Sequence, residues 1–389
     1  MSRRAPLVAP RTALDPAQLA RYSRHLTLPG IGEEGQRRIA AARVLVIGAG
    51  GLGSPISNYL IAAGVGTLAV MDDDTVELSN LQRQIMHRQQ DVGARKVDSV
   101  PRLAAQLNDQ VAVVPLAERL TAHNAEQLFA AYDLVIDGSD NFATRYLSND
   151  AAELTGTPLV WGTLFQFSGQ VSVFDPRTGP MLRDLFPEIP DADSVPSCAE
   201  GGVFGALCGV VGSIMAVEAL KLITGAGETL SGKLWLYDAL TAGVRTLAFE
   251  RDPQRAPVRE LGDYAQESCA AAPAVAQLDP AALEDLRREA AQRVLVVDVR
   301  EDWERQIAAI TGSVHVPLEQ ILSLGWEAID AKDATHVVLA CKSGARSLRA
   351  AQALGPQPDG ARPTEAQVLN LAGGTVDWYR QVRGEALAY

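Results

Sequence analysis

The β-branched run Arg43–Ile47 (RVLVI) ends directly in Gly48-Ala49-Gly50-Gly51-Leu52-Gly53, and residues Leu52 to Ala63 then read as a helix. A strand, a glycine turn and a helix in this order fit G-x-G-x-x-G. Glycines let the backbone approach a phosphate, and the helix N-terminus offers unpaired N–H donors and partial positive charge. Thr67–Met71 (TLAVM) reads as a second strand. Asp72 ends it about 20 residues beyond Gly53, where an acid can bind ribose hydroxyls. Taken alone the pattern specifies a nucleotide, and a dehydrogenase would display it as well. Leu134–Ile136, Val171–Phe174 and Leu234–Tyr237 read as later strands, with a helix around Gly212–Ile223. Apolar strands alternating with helices imply a parallel sheet covered on both faces.

The chain is 389 residues long, enough for two or three domains. Hydrophobic residues make up 47% and charged residues 21%, which excludes global disorder. The formal charge of −12 makes the chain as a whole a poor binder of nucleic acid or anionic membrane. Residues Met1–Pro10, broken by Pro6 and Pro10, lack a signal-peptide core. The uncharged stretch Gly201–Val217 is shorter than a spanning helix needs and reads as a buried loop and helix. A cytoplasmic location is the expectation. Composition shifts near Glu250, where Pro253, Pro257, Pro273 and an alanine cluster mark a linker over 251–277. As a coil it would span about 30 Å. A smaller α/β unit follows, with a helix over Pro280–Ala291 and strands Val294–Val297 and His336–Ala340.

The polar segment after the second strand argues against hydride transfer. Asp72-Asp73-Asp74-Thr75-Val76-Glu77-Leu78-Ser79-Asn80-Leu81-Gln82-Arg83-Gln84 follows it, then Lys96, then Asp137-Gly138-Ser139-Asp140-Asn141 directly after the strand Leu134–Ile136. Ligands of open α/β sheets bind at the carboxyl ends of strands. Arg83 and Lys96 suit a triphosphate, and Asp140 suits its Mg²⁺, which takes carboxylate and phosphate oxygens. In the smaller unit, the strand His336–Ala340 runs into Cys341-Lys342-Ser343-Gly344-Ala345-Arg346-Ser347. A cysteine in a tight loop with two cations and backbone N–H groups is suited to hold a thiolate or persulfide.

These residues carry a resemblance. Arg21-Tyr22-Ser23-Arg24-His25, the glycine loop, the segment around Ser79–Gln84, Gly93–Lys96, Asp137–Asn141 and Pro196-Ser197-Cys198-Ala199-Glu200-Gly201-Gly202 stand in the order of the ubiquitin-activating-enzyme-like adenylyltransferases of the HesA/MoeB/ThiF family. The members most similar activate molybdopterin-synthase and thiamine sulfur-carrier proteins. Residues 278–389 resemble a rhodanese domain through Asp298-Val299-Arg300-Glu301, the Cys341 loop and Leu371–Gly374. The resemblance implies a Rossmann-like mixed-sheet adenylation domain over 13–250, then a small α/β rhodanese domain. It implies ATP and Mg²⁺, with Gly48, Gly50, Gly51 and Gly53 shaping the phosphate loop and Asp72 holding the ribose. Ser79, Asn80 and Arg83 would line the nucleotide site, Lys96 would contact phosphate, and Asp140 would hold Mg²⁺ with Asn141 beside it. Arg24 resembles an arginine that reaches the ATP of a second subunit, which implies a homodimer. The implied partner is a small ubiquitin-like sulfur carrier ending in Gly-Gly, with an upstream donor such as a cysteine desulfurase. Cys341 matches the persulfide cysteine. Cys198 matches one used in the family either for a covalent link to the carrier or for resolving an acyl-persulfide.

Two other readings compete. A nicotinamide-dependent oxidoreductase explains the glycine loop and Asp72 but not Arg83, Lys96, Asp140 or the Cys341 loop. A scaffold that binds carriers without activating them does not need those four residues. Cys208 reads as core, Cys269 has no assigned role, and His25 and His87 read as structural. The chain also departs from its relatives, which carry two C-x-x-C pairs for a structural zinc. Here those stretches read Met181-Leu182-Arg183-Asp184 and Gln254-Arg255-Ala256-Pro257-Val258. The expectation is no zinc site, with the first stretch held by apolar contacts through Met181, Leu182, Leu185 and Phe186. Elemental analysis of the purified protein should find far less than one zinc per chain; a stoichiometric amount would overturn this expectation.

Overall fold

In a computed structural model the chain is described over residues 5–387, apart from 12, 191–201, 263, 265–274, 290–292, 332 and 356–365. It divides into two units, Met1–Ser268 and Cys269–Tyr389.

The first unit is built on eight strands: β1 (Arg43–Ile47), β2 (Thr67–Met71), β3 (Ala112–Leu116), β4 (Leu134–Asp137), β5 (Leu159–Phe165), β6 (Ser168–Phe174), β7 (Lys233–Asp238) and β8 (Gly243–Ala248). They lie in the order β3-β2-β1-β4-β5-β6-β7-β8. The pairs from β3 through β5 are parallel and those from β5 through β8 antiparallel, so the sheet is mixed. Alternation places Val44 and Val46 in one core and Leu45 and Ile47 in the other. Buried on both faces, β1 needs the continuous apolar run that its sequence supplies. The first core is covered by the helices Gly53–Ala63 and Gly205–Thr224, the second by Ala125–Ala131 and Phe142–Thr155. Helix Gly205–Thr224 is long and apolar enough to cross a membrane by length and composition. Here Leu207, Val211, Met215, Ala219 and Leu222 bury one side of it in the first core.

The strand order reverses between β1 and β4, and this switch point is where open α/β sheets bind ligands. The turn after β1 is tight. A Cβ on Gly53 would lie 1.9 Å from the Gly48 carbonyl oxygen, so only glycine closes the turn into the helix.

Two sequence expectations change here. Residues 251–262 and Tyr264 are laid against the first unit rather than free as a linker. Arg251 donates to the Gly179 carbonyl at 2.8 Å, and Tyr264 is buried. Prolines mark the break in secondary structure, but long side chains carry the packing. The second change concerns the stretch Met181–Asp184. Met181 and Leu182 are in the core as expected, but ion pairs also hold the segment. Arg183 grips Asp150 with two bonds of 2.8 Å, and Arg255 Nε lies 2.7 Å from Asp184 and its Nη1 3.1 Å from Glu153. Two guanidiniums and no thiolate occupy the two stretches at which the resemblance implies zinc ligands, a donor set that does not fit zinc.

The second unit carries β9 (Ala276–Leu278), β10 (Val294–Asp298), β11 (Val314–His315), β12 (His336–Ala340) and β13 (Gln367–Leu371). The order is β11-β10-β12-β13-β9, all parallel. Arg300 is fully buried beneath it, paired with Asp298 at 2.8 and 2.6 Å.

Gly53→Ala forces backbone out of place and should destabilise the first unit by about 3 kcal/mol or more. Denaturant unfolding followed on the isolated transition of that unit checks this.

Candidate functional site

A cavity of about 900 Å³ opens at the switch point. Gly48, Gly50, Gly51, Asp72, Arg83, Lys96, Asp140 and Asn141 all line it, so eight residues spread over almost a hundred positions converge. Its first wall is the glycine loop. The Ala49 peptide is held from both sides: its N–H donates to Asp72 Oδ2 at 2.8 Å, and its carbonyl accepts from His87 Nε2 at 2.9 Å. The Ser99 hydroxyl lies 2.9 Å from His87 Nδ1. A carbonyl only accepts, so Nε2 carries the ring proton and Nδ1 takes the hydroxyl proton. Burial pushes the His87 imidazole below its ordinary value, and the Lys96 charge lowers it further, against the Ala49 bond and the charges of Asp72 and Asp91. His87 is therefore a structural residue, as read from sequence, but what it holds is the phosphate loop.

The cationic wall is preset. Lys96 is buried and its ammonium lies 2.9 Å from Asp74. Arg83 Nη1 donates to the Ser79 carbonyl at 3.1 Å. Ser79 and Asn80, expected to line the nucleotide site, are not among the lining residues. They fold a short 3-10 turn, in which the Ser79 hydroxyl donates to Glu77 at 3.0 Å and Asn80 Oδ1 accepts the Glu77 N–H at 3.1 Å. Their part is to aim Arg83. Gly53 belongs to the turn itself. Arg24 is exposed and outside the cavity lining.

The two acids of Asp137–Asn141 divide their work. Asp137 is fully buried, burial pushes its carboxyl up, and it accepts the Ser139 N–H at 2.9 Å. Asp140 is exposed to the cavity, and Asn141 caps the helix Phe142–Thr155 by accepting the Thr144 N–H at 2.9 Å. Asp140 is thus the acid of that motif free to meet a cation beside phosphate. Sequence reading missed Arg119, Leu120 and Thr121, which line the cavity after β3. Pro115 hides β3, and proline is tolerated there because β3 is an edge strand.

In the second unit Cys341 directly follows β12. Its Sγ accepts the Gly344 N–H at 3.1 Å and the Ser347 hydroxyl at 3.3 Å. Gly344 has φ +101°, a left-handed conformation that glycine adopts without strain, and it opens the helix Ala345–Ala353. Thr375 fixes the Cys341 carbonyl through its N–H at 2.7 Å and its hydroxyl at 3.0 Å. The sequence expectation of two loop cations around the sulfur is modified. Arg346 is bound through both nitrogens to buried Glu304 at 2.6 Å each. Burial raises Glu304, but Arg346, the Glu301 N–H and the Arg300 charge outweigh it and hold the carboxyl below its ordinary value. The direct contacts to sulfur come from a peptide N–H and a hydroxyl. Cys208 is buried in the core beside the glycine loop. Cys198 and Cys269 lie outside the described residues.

A phosphate loop with its cations and acid, joined in one chain to a sulfur-holding thiol loop, defines an adenylyltransferase combined with a sulfurtransferase. The sequence matches the ThiF family over residues 22–258 and the rhodanese-like domain over residues 279–381. It is 44% identical to the probable adenylyltransferase/sulfurtransferase MoeZ of Mycobacterium tuberculosis over 394 residues, covering 99% of this chain and 98% of that protein. It is 51% identical to the sulfur carrier protein adenylyltransferase of Thermus thermophilus over 259 residues, 64% of this chain and 95% of that one. The first unit shares the fold of E. coli MccB solved with ATP, at 18% identity and TM-score 0.53, covering 61% of this chain and 74% of that one. The chain belongs to the ThiF family and carries a C-terminal rhodanese domain.

The depressed His87 pKa means that the unfolded chain binds its proton more readily than the folded one. The stability this residue contributes is present above the unfolded value near 6.5 and is lost as pH falls below it. Between about pH 7 and 5.5 the melting temperature of the first unit should fall more in the unaltered protein than in His87→Gln, as scanning calorimetry would record.

Proposed function

We propose that the first unit adenylates the C-terminal Gly-Gly carboxylate of a small ubiquitin-like sulfur carrier and that Cys341 then supplies sulfur to it. The observation that carries this reading is the convergence of Arg83, Lys96 and Asp140 on the cavity walled by the glycine loop and Asp72. The carboxylate is already ionised at neutral pH, so no general base is required. A carboxylate oxygen attacks the α-phosphorus of ATP, the bond to pyrophosphate breaks, and an acyl-adenylate forms. The barrier is to bring two anions together and to stabilise the departing pyrophosphate, which positioned cations lower. Arg83 suits planar phosphate contact and Lys96 acts as a point charge. Lys96 exchanges its bond to Asp74 for phosphate. Asp140 would hold Mg²⁺, which neutralises phosphate charge.

Cys341 receives a sulfur atom from an upstream donor such as a cysteine desulfurase and becomes a persulfide. The Gly344 N–H and Ser347 hydroxyl support its anion. The terminal sulfur attacks the acyl carbon, AMP leaves, and an acyl disulfide joins carrier to Cys341. A second thiol then attacks the Cys341 sulfur, forming a new disulfide and releasing the thiocarboxylate. Cys198 is the candidate for that thiol or for a direct link to the carrier. Arg24 is exposed and outside the cavity, which supports its being offered to a second copy in a homodimer. A persulfide cysteine suits a reducing compartment, which supports a cytoplasmic location. Relatives named for sulfur-carrier activation support molybdenum cofactor assembly among the candidate pathways.

ATP–pyrophosphate exchange should require a carrier ending in Gly-Gly; no exchange with any such carrier overturns the reading. Cys341→Ala should retain exchange at its full rate and form no thiocarboxylate, as intact-mass analysis of the carrier would record.

A further inference from the structure

The cavity has a third wall that neither the glycine loop nor the cations supply. Leu261, Gly262 and Tyr264 line it, from the stretch that follows β8. Their position is held by polar contacts further along the stretch. Arg255 spans Asp184 at 2.7 Å and Glu153 at 3.1 Å, and the Val258 N–H donates to Glu153 at 3.2 Å. The Tyr264 hydroxyl donates to Asp150 at 2.7 Å, and Asp150 is itself gripped by Arg183. Asp150 and Glu153 stand on the helix Phe142–Thr155, whose first turn is capped by Asn141 next to Asp140. One helix thus carries the clasp at its far end and the acidic loop at its start.

The wall is continuous with an apolar part of the lining. Ile47, Met71, Leu120, Leu147 and Tyr264 share a single apolar core, and Leu261 packs against it. These are also lining residues. Arg83 and Lys96 carry the charge that phosphate requires, whereas this part of the lining offers aliphatic and aromatic surface. In a nucleotide, the base is the part that prefers such a surface.

We infer that residues 251–262 and Tyr264 form a strap that closes the base end of the nucleotide cavity. Leu261 and Tyr264 are its contact surface, and Arg255 is the positioning residue that clasps it to Asp184 and Glu153. The inference rests on the reading that the cavity takes ATP. It assigns a specificity role to a segment whose prolines suggest only a linker. It also gives the ion pairs of Arg183 and Arg255 a function: they hold the strap in register. Paired, partly desolvated carboxylates and guanidiniums do this without a metal, and each needs its partner.

The test separates base from phosphate. Binding of a non-hydrolysable ATP analogue and of inorganic tripolyphosphate is measured by calorimetry on the full chain. Tyr264→Ala and Arg255→Gln should weaken the analogue by roughly five- to tenfold and leave tripolyphosphate unchanged. Arg255→Lys should recover part of the loss, because it keeps the charge but not the fork. Hydrogen exchange at 258–262 should slow when the analogue binds the unaltered chain. An equal loss for both ligands means general collapse of the unit and overturns the inference, as does no loss for either. Failure of the unaltered chain to bind the analogue at all overturns the ATP reading itself.

Discussion

Both chemistries of this chain depend on backbone N–H groups at the place where a buried parallel strand runs into a helix. After β1 the donors belong to the glycine loop, and after β12 to the Gly344 turn, where a peptide N–H reaches the Cys341 sulfur at 3.1 Å. Such donors are fixed by the fold and cost no reorganisation when charge develops against them. That arrangement requires the backbone to be held rigidly from behind. Asp72 and His87 clamp the Ala49 peptide, and Thr375 clamps the Cys341 carbonyl with two bonds. The side chains named for chemistry act on a surface that these clamps create.

Charge is also settled before any ligand arrives. Lys96 is held by Asp74, Arg346 by Glu304 and Arg300 by Asp298. The three pairs serve different ends. Lys96 faces an exposed carboxylate and can exchange it for phosphate. Arg300 is fully enclosed with its partner and with the Ala308 carbonyl at 2.7 Å, so it braces the rhodanese unit. Arg346 stands between these cases, tied to a buried acid beside the loop it helps to shape. A cation count from sequence treats the three alike, and burial distinguishes them.

Strands buried on both faces were legible almost to the residue. β1, β2 and β12 have the bounds expected, because a strand between two helical layers must be continuously apolar. β3, which contains Pro115, and the exposed edge strand β8 lacked that signal. Helix Gly205–Thr224 begins seven residues ahead of its expected core because its first turns are rich in glycine and small residues. The glycine loop, Asp72, Arg83, Lys96 and Asp140 were legible because charged and glycine residues follow strand ends with little other reason to cluster. The parts played by His87 and Glu304 were not, since each acts through a partner distant in sequence: Ala49 and Arg346.

From its sequence alone this protein was determined to be a two-part α/β chain, with a phosphate loop in the first part and a sulfur-holding cysteine in the second. Local patterns suffice for that, because strand periodicity, glycine turns and loop chemistry are written over a few consecutive residues. Only the tertiary structure decided which polar residues face the cavity and which merely aim or brace their neighbours. It put Arg83 in the cavity lining with the Ser79 carbonyl as its partner, and turned a proline-marked stretch into a packed wall fastened by Arg255. The wall depends on contacts between residues some seventy to more than a hundred positions apart, and such contacts exist only after the sheet and its helices have brought the segments together.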